Sequence, residues 1–298
     1  MNSRRVSYIL CFWAIFLFST IELVGKLIGK GISPVLITAY RFFIGGLVLL
    51  PFAIYHAKRM DFKLRTKDFL NMAYPGVLNV AISMMFLQLA VFFGKASLAA
   101  ILVATNPLFV AVFAFLILHE KLQLKNLLGL ILGLGGISLI ILGDRQIFAG
   151  DMNILLGVSF SLMAALTFGL NVVLSKKQIR KYGNFLFNSV SFFSGSIVLL
   201  AAGCLLGIRI DFSFSWMNWL YIVYLGLFVT GLAYILFFEG LKHIPAAEGS
   251  MFFFLKPGLA SIFAVMILHE HLSMWQVIGI VLIILSLNAD RLKAGKSL

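Results

Sequence analysis

The chain has 298 residues, 61% of them hydrophobic and 12% charged, with a formal net charge of +13 and a mean hydropathy of +1.04. A soluble domain carries about 25% charged residues, so too little polar surface exists here to coat a globule in water. The basic excess does not indicate nucleic acid, because the lysines and arginines sit in short loops between apolar runs, where membrane topology accounts for them.

Crossing a bilayer takes about 20 apolar residues per helix. Ten such stretches follow one another, at 7–28, 34–55, 69–93, 96–118, 124–143, 153–175, 185–207, 217–239, 247–268 and 274–290. They predict an all-α polytopic membrane protein with ten transmembrane helices and no separate soluble domain. Arg4 and Arg5 precede the first stretch, and no A-x-A-like cleavage site follows it. It reads as an uncleaved first span. That span carries Trp13 and Glu22, and the second carries Arg41. Glu22 and Arg41 fall at similar depth on consecutive antiparallel helices, which favours an intramembrane ion pair. The alternative role for Glu22 is uptake and release of a proton.

Asn79 lies in the third span and Asn106, next to Pro107, near the middle of the fourth. The fourth ends on "ILHEKL" (117–122). A zinc HExxH motif needs a second histidine four residues on, and none is present. Glu120 is expected instead to bond the exposed amides that open the next helix. That helix holds Gly129, Gly133 and Gly136, a small-residue pattern that suits close helix contact within the fold or in a homodimer.

The second half repeats the first at an offset of 150. Residues 106–122 and 256–272 are identical at eight of seventeen positions, including Pro107/Pro257, His119/His269 and Glu120/Glu270. The same offset matches Lys26 with Lys176, Phe42 and Phe43 with Phe192 and Phe193, Gly45 with Gly195, and Gly76 with Gly226. No gap is needed. The chain therefore reads as two five-helix repeats, 1–148 and 151–298. Five is odd, so the second copy must enter the membrane from the opposite side. With the N-terminus inside, inner segments carry 17 of the 24 lysines and arginines and outer segments five. This bias places both termini in the cytoplasm. Inverted repeats are the build of secondary transporters.

In the second copy, Lys256 takes the place of Asn106 and precedes Pro257. A lone ammonium at mid-membrane is expensive and points to function. The proline also leaves the carbonyl of Phe253 without its helical donor. A cation, a kink and a free carbonyl then share one location. Lys256 can attract a substrate carboxylate, or it can bind a neighbouring backbone carbonyl and fix the fold. Tyr234 in the eighth span and Trp13 in the first are candidates for an aromatic cavity wall.

The phrases "NP…ILHE" and "KPGLASIFAVMILHE", the glycine-bearing helices after them and "AYRFFIGG" (39–46) resemble the drug/metabolite transporter superfamily, in its ten-span form with two EamA-type domains. The resemblance covers essentially the whole chain. It implies a central cavity lined largely by helices 1, 3, 4, 6, 8 and 9, with helices 5 and 10 peripheral. Proteins similar to this one export amino acids, other metabolites or toxic compounds, and some move nucleotide-sugars or phosphorylated compounds. The expected substrate-binding residues are thus Lys256, Asn106, Asn79, Trp13 and Tyr234, with Glu22 and Arg41 as ion pair or proton site.

The sequence carries no phosphate loop, zinc-ligand cluster or supported Ser/His/Asp set, so neither cofactor nor enzyme chemistry is expected. The expected activity is export of an amino acid or similar small metabolite across the plasma membrane by alternating access, driven downhill or by an ion such as the proton. An importer of the same fold fits the same residues. A membrane enzyme on lipid-linked substrates would need clustered carboxylates or histidines at one interface, whereas the two His-Glu pairs fall on opposite faces. The expected partners are a small-molecule substrate and the lipid bilayer.

Overall fold

The computed structural model describes residues 3–59, 65–93, 102–121, 124–142, 152–268 and 274–287. Among these residues the regular structure is helical, without strands. In chain order the helices are α1 (Ser3–Phe18), α2 (Ile21–Ile28), α3 (Pro34–Arg59), α4 (Thr66–Val77), α5 (Met84–Phe93), α6 (Asn106–Leu118) and α7 (Leu124–Leu142). The second half gives α8 (Met152–Tyr182), α9 (Asn184–Leu205), α10 (Trp216–Tyr224), α11 (Ala233–Gly240), α12 (Ala246–Ser250), α13 (Leu255–Leu268) and α14 (Met274–Leu287).

Among the described residues six stretches are long and apolar enough to cross a membrane: Ser3–Gly25, Pro34–Arg59, Thr66–Leu87, Leu155–Tyr182, Asn184–Leu205 and Trp216–Gly240. They coincide with the first three expected spans of each half. The fourth, fifth, ninth and tenth expected spans correspond to α6, α7, the α12–α13 pair and α14. The outer surface is apolar where water would demand polarity. Leu205 is 90% exposed and Trp216 80% exposed. A bilayer is the solvent that tolerates such a surface.

Local sequence explains the interruptions. Between α1 and α2 the hydroxyls of Ser19 and Thr20 bond back to the carbonyls of Ile15 and Leu17, at 2.7 and 2.8 Å. Such back-bonding bends helices. The third span of each half contains a wider π-helical stretch, Leu78–Ser83 between α4 and α5, and Leu225–Leu232 between α10 and α11. With the offset of 150 the two stretches overlap. In the ninth span, α12 passes into a tight 3₁₀ turn at Met251–Phe254 before α13 begins.

The core forms where the two halves meet. Phe42 meets its repeat mate Phe192 edge to face at 5.2 Å, and Phe43 meets Phe193 at the same distance. The glycines report a reciprocal exchange of partners. A Cβ on Gly195 would lie 2.5 Å from the Gly76 carbonyl oxygen and 2.7 Å from Val80. A Cβ on Gly45 would lie 3.1 Å from the Gly226 carbonyl oxygen and 2.8 Å from Thr230. Each residue in the second set is the repeat mate of one in the first. Thus α3 packs on the second half's π-helical stretch as α9 packs on the first half's. The fifth and tenth helices, α7 and α14, pack along each other. Gly133 of α7 is closed over by the ring of Phe254, so its missing side chain serves a contact within the chain.

Candidate functional site

The two π-helical stretches place a polar pair at the centre of the core. Asn79 lies on the first, and its amide nitrogen donates to the Tyr234 hydroxyl at 3.1 Å, just past the second. Both residues are buried. The Tyr234 ring sits edge-on to Phe18, Phe42 and Phe192 at 5.2, 5.8 and 5.0 Å. Among the described residues, the Asn79 amide oxygen and the nearby Thr230 hydroxyl have no hydrogen-bond partner. A buried acceptor left unmet costs about 1–3 kcal/mol, and π-helical turns occur often at functional sites. Asn79 and Tyr234, expected separately from the sequence, are therefore one unit.

Asn106 and Lys256 stand at equivalent helix restarts. Asn106 opens α6, is fully buried, and donates to the Val103 carbonyl at 3.0 Å. Its amide oxygen has no partner among the described residues. Lys256 is the second residue of α13, directly after the 3₁₀ turn, and is half-buried. Pro107 and Pro257 follow them, so both fourth spans restart at the prolines, as the missing amide hydrogen requires. Trp13 does not join the Asn79–Tyr234 unit. It is 51% exposed and packs against Phe12 and Phe16, and Phe16 in turn meets Phe263 of α13 at 5.3 Å.

Arg41 is buried in α3. Its guanidinium lies 4.7 Å from the Phe42 ring centre, and one nitrogen reaches the Met84 sulfur at 3.3 Å. Met84 is the repeat mate of Tyr234, so Arg41 borders the first half's counterpart of the polar centre. The side chain of Glu22, its expected partner, lies outside the described residues.

Charge gathers at one end of the bundle, in a network that sequence reasoning missed. Lys176 of α8 is only 4% exposed, and its ammonium donates to Glu120 and to the Ile244 carbonyl, both at 2.8 Å. The other Glu120 oxygen accepts the Ala246 amide at 2.7 Å. Among the described residues Glu120 thus serves the amide that opens α12, while Leu122 and Gln123, which lead into the helix where its partners were expected, lie outside the described residues. The cause is local. His119 adopts the left-handed conformation, φ +54°, and the Glu120 amide turns back to the Ala114 carbonyl at 3.1 Å. This Schellman-type ending turns Glu120 toward α8. Its repeat mate Glu270 lies outside the described residues, as does Ser273.

At the same end, Arg4 grips both oxygens of Glu248 at 2.9 Å, and the Tyr8 hydroxyl donates to that carboxylate too. The Tyr182 hydroxyl donates to Asp68 at 2.8 Å, beside Lys181 at 3.2 Å. The opposite end is aromatic. Tyr40 donates to the Asp211 carbonyl at 2.8 Å and packs with Phe212, Phe214 and Trp219. Lys176 could have been singled out from the repeat, since Lys26 occupies the matching position; by composition it looked like a loop charge.

A helical chain with membrane-crossing spans, matched half-sites and a buried polar centre between them has the form of a membrane transporter. Comparison with known proteins names the family. The EamA-like transporter family matches residues 5–142 and again 155–288. The chain belongs to that family, within the drug/metabolite transporter superfamily. It is 36% identical to an uncharacterized transporter of Clostridium kluyveri over 94% of this chain and 91% of that protein. It is 28% identical to the uncharacterized transporter YoaV of Bacillus subtilis, over 85% of each. A solved crystal structure has the same fold, with a TM-score of 0.79 over 97% of this chain and 98% of that one, at 20% identity.

Proposed function

We propose that the protein exports an amino acid or similar small carboxylate-bearing metabolite across the plasma membrane by alternating access. In this reading ten spans form two inverted repeats, 1–148 and 151–298, with both termini in the cytoplasm. The observation that carries the reading is the reciprocal packing of the two halves around the Asn79–Tyr234 pair. Two halves that exchange equivalent contacts can rock between two arrangements of similar energy around a fixed centre. The unmet oxygen of Asn79 and the unmet Thr230 hydroxyl supply polar groups there. Lys256, at the start of α13, supplies a positive charge for the carboxylate, reinforced by the positive end of the helix dipole. Glu22, with Arg41, is the intramembrane ion pair or the proton site of this reading.

The test is counterflow in proteoliposomes loaded with single amino acids and related metabolites. Wild type is expected to exchange at least one carboxylate solute, with Lys256→Ala and Asn79→Ala each cutting the rate at least tenfold. A panel in which no solute exchanges sinks the proposal. A neutral solute that exchanges equally well in Lys256→Ala removes the lysine from the site.

A further inference from the structure

We propose that the charged end of the bundle contains a binding site for a phosphate group, separate from the polar centre. A cavity of about 320 Å³ opens there between α3, α8, the start of α9 and α11. Its basic lining is His56, Lys176, Arg180, Lys181 and Lys242. Three carboxylates pair with these cations: Glu120 with Lys176 at 2.8 Å, Asp68 with Lys181 at 3.2 Å, and Glu239 with Lys242 at 2.6 Å. None of the three carboxylates lines the cavity. The acids therefore hold the lysines from outside the cavity, and among the described residues its wall carries cations and no carboxylate. Arg180 makes no ion pair among the described residues. Arginine and lysine together are the usual donors to phosphate oxygens.

The backbone adds to this. Gly183 lines the cavity in a left-handed conformation, φ +80°, and stands at the N-terminal end of the 22-residue α9. No side chain caps that end. A helix N-terminus beside a basic cavity favours an anion. A Cβ on Gly183 would lie 3.1 Å from the His56 ring, so glycine lets the turn close against the imidazole. The remaining wall, Ile179, Phe238 and Leu241, is apolar. A lining of both cations and apolar side chains suits a phosphodiester carried on a lipid, and basic pockets between spanning helices take such head groups. A free phosphate offers the same oxygens.

The experiment uses the full chain in neutral detergent and reads its melting temperature. Phosphatidylglycerol, phosphatidylcholine and inorganic phosphate are added separately, with chloride at matched ionic strength as reference. Two double variants are compared. Arg180→Gln with Lys242→Gln removes exposed cations of the cavity, and Arg5→Gln with Lys177→Gln removes exposed cations that do not line it. Phosphatidylglycerol or phosphate is expected to raise the wild-type value by several degrees. The cavity variant should lose at least half of that rise, and the other should keep it. A rise with the lipid alone identifies a head group, and a rise with phosphate alone a soluble ligand. No rise with either probe, or equal loss in both variants, overturns the site. The outcome is independent of whether any solute is transported.

Discussion

Lys176 and Glu120 illustrate what one buried charge can do to a fold. The ammonium and the carboxylate each keep a backbone partner, Ile244 and Ala246, so the pair staples α6 and α8 to the turn that opens α12. Removing one member leaves the other charge buried without its counter-ion, which costs about 3 kcal/mol. Glu120→Gln is therefore expected to lower the melting temperature in detergent markedly. The Lys176→Met/Glu120→Gln double variant should lose less than the sum of the two single changes. Strict additivity would mean the pair is not coupled. Tyr234 poses a smaller question. Tyr234→Phe keeps the ring contacts with Phe18, Phe42 and Phe192 but takes the acceptor from the Asn79 amide. Hydrogen bonds between spanning helices are worth about 0.6–1.7 kcal/mol, so stability should fall by about 1 kcal/mol. If Asn79 is also a substrate group, transport should fall by far more than that loss of folded protein explains. Unchanged transport in Tyr234→Phe would assign the pair to packing.

At the scale of elements, the glycine crossings set how close the halves can come. Gly76 runs against the backbone of Ser191, where a Cβ has no flexible side chain to push aside. Gly226 meets Ile44 and the Arg41 carbonyl in the same way. Overpacking a tight contact costs about 1–3 kcal/mol. Gly76→Ala and Gly226→Ala are each expected to lose stability within that range, while Gly135→Ala in α7, whose Cβ meets nothing within 4 Å, should be neutral or stabilising. Similar loss in all three would mean the crossings are not special. The positions of six of the expected spans were legible, because an apolar run of membrane length has few other structures open to it. The restarts at Asn106 and Lys256 were legible as well, because proline announces the break. The π-helical stretches were not. Nothing in "LNVAIS" or "LGLFVTGL" separates a wide turn from a regular one. The Lys176–Glu120 pair was equally hidden, since its members stand 56 residues apart and meet only through tertiary packing.

At the scale of the whole molecule, the contacts divide the bundle into a charged end and an aromatic end, and this division bears on topology. Arg4, Asp68, Glu120, Lys176, Lys181 and Glu248 gather at one end, while Tyr40, Asp211, Phe212 and Trp219 gather at the other. Basic residues accumulate on the cytoplasmic side, so the charged end should face inward. The repeat sharpens this into a test, because Arg65 and Ser215 are repeat mates and both are exposed. Parallel repeats would hold them on the same side, and inverted repeats on opposite sides. Cys11 is buried and Cys204 exposed, so Cys204→Ser provides a quiet background for labelling. In intact cells a membrane-impermeant maleimide should modify Ser215→Cys. It should reach Arg65→Cys only after the membrane is permeabilised. Labelling of both from outside would abolish the inversion, and with it the argument that two equivalent halves exchange roles about Asn79 and Tyr234. Labelling of Arg65→Cys alone would keep the inversion and reverse the orientation, placing the cavity beside Arg180 on the outer face.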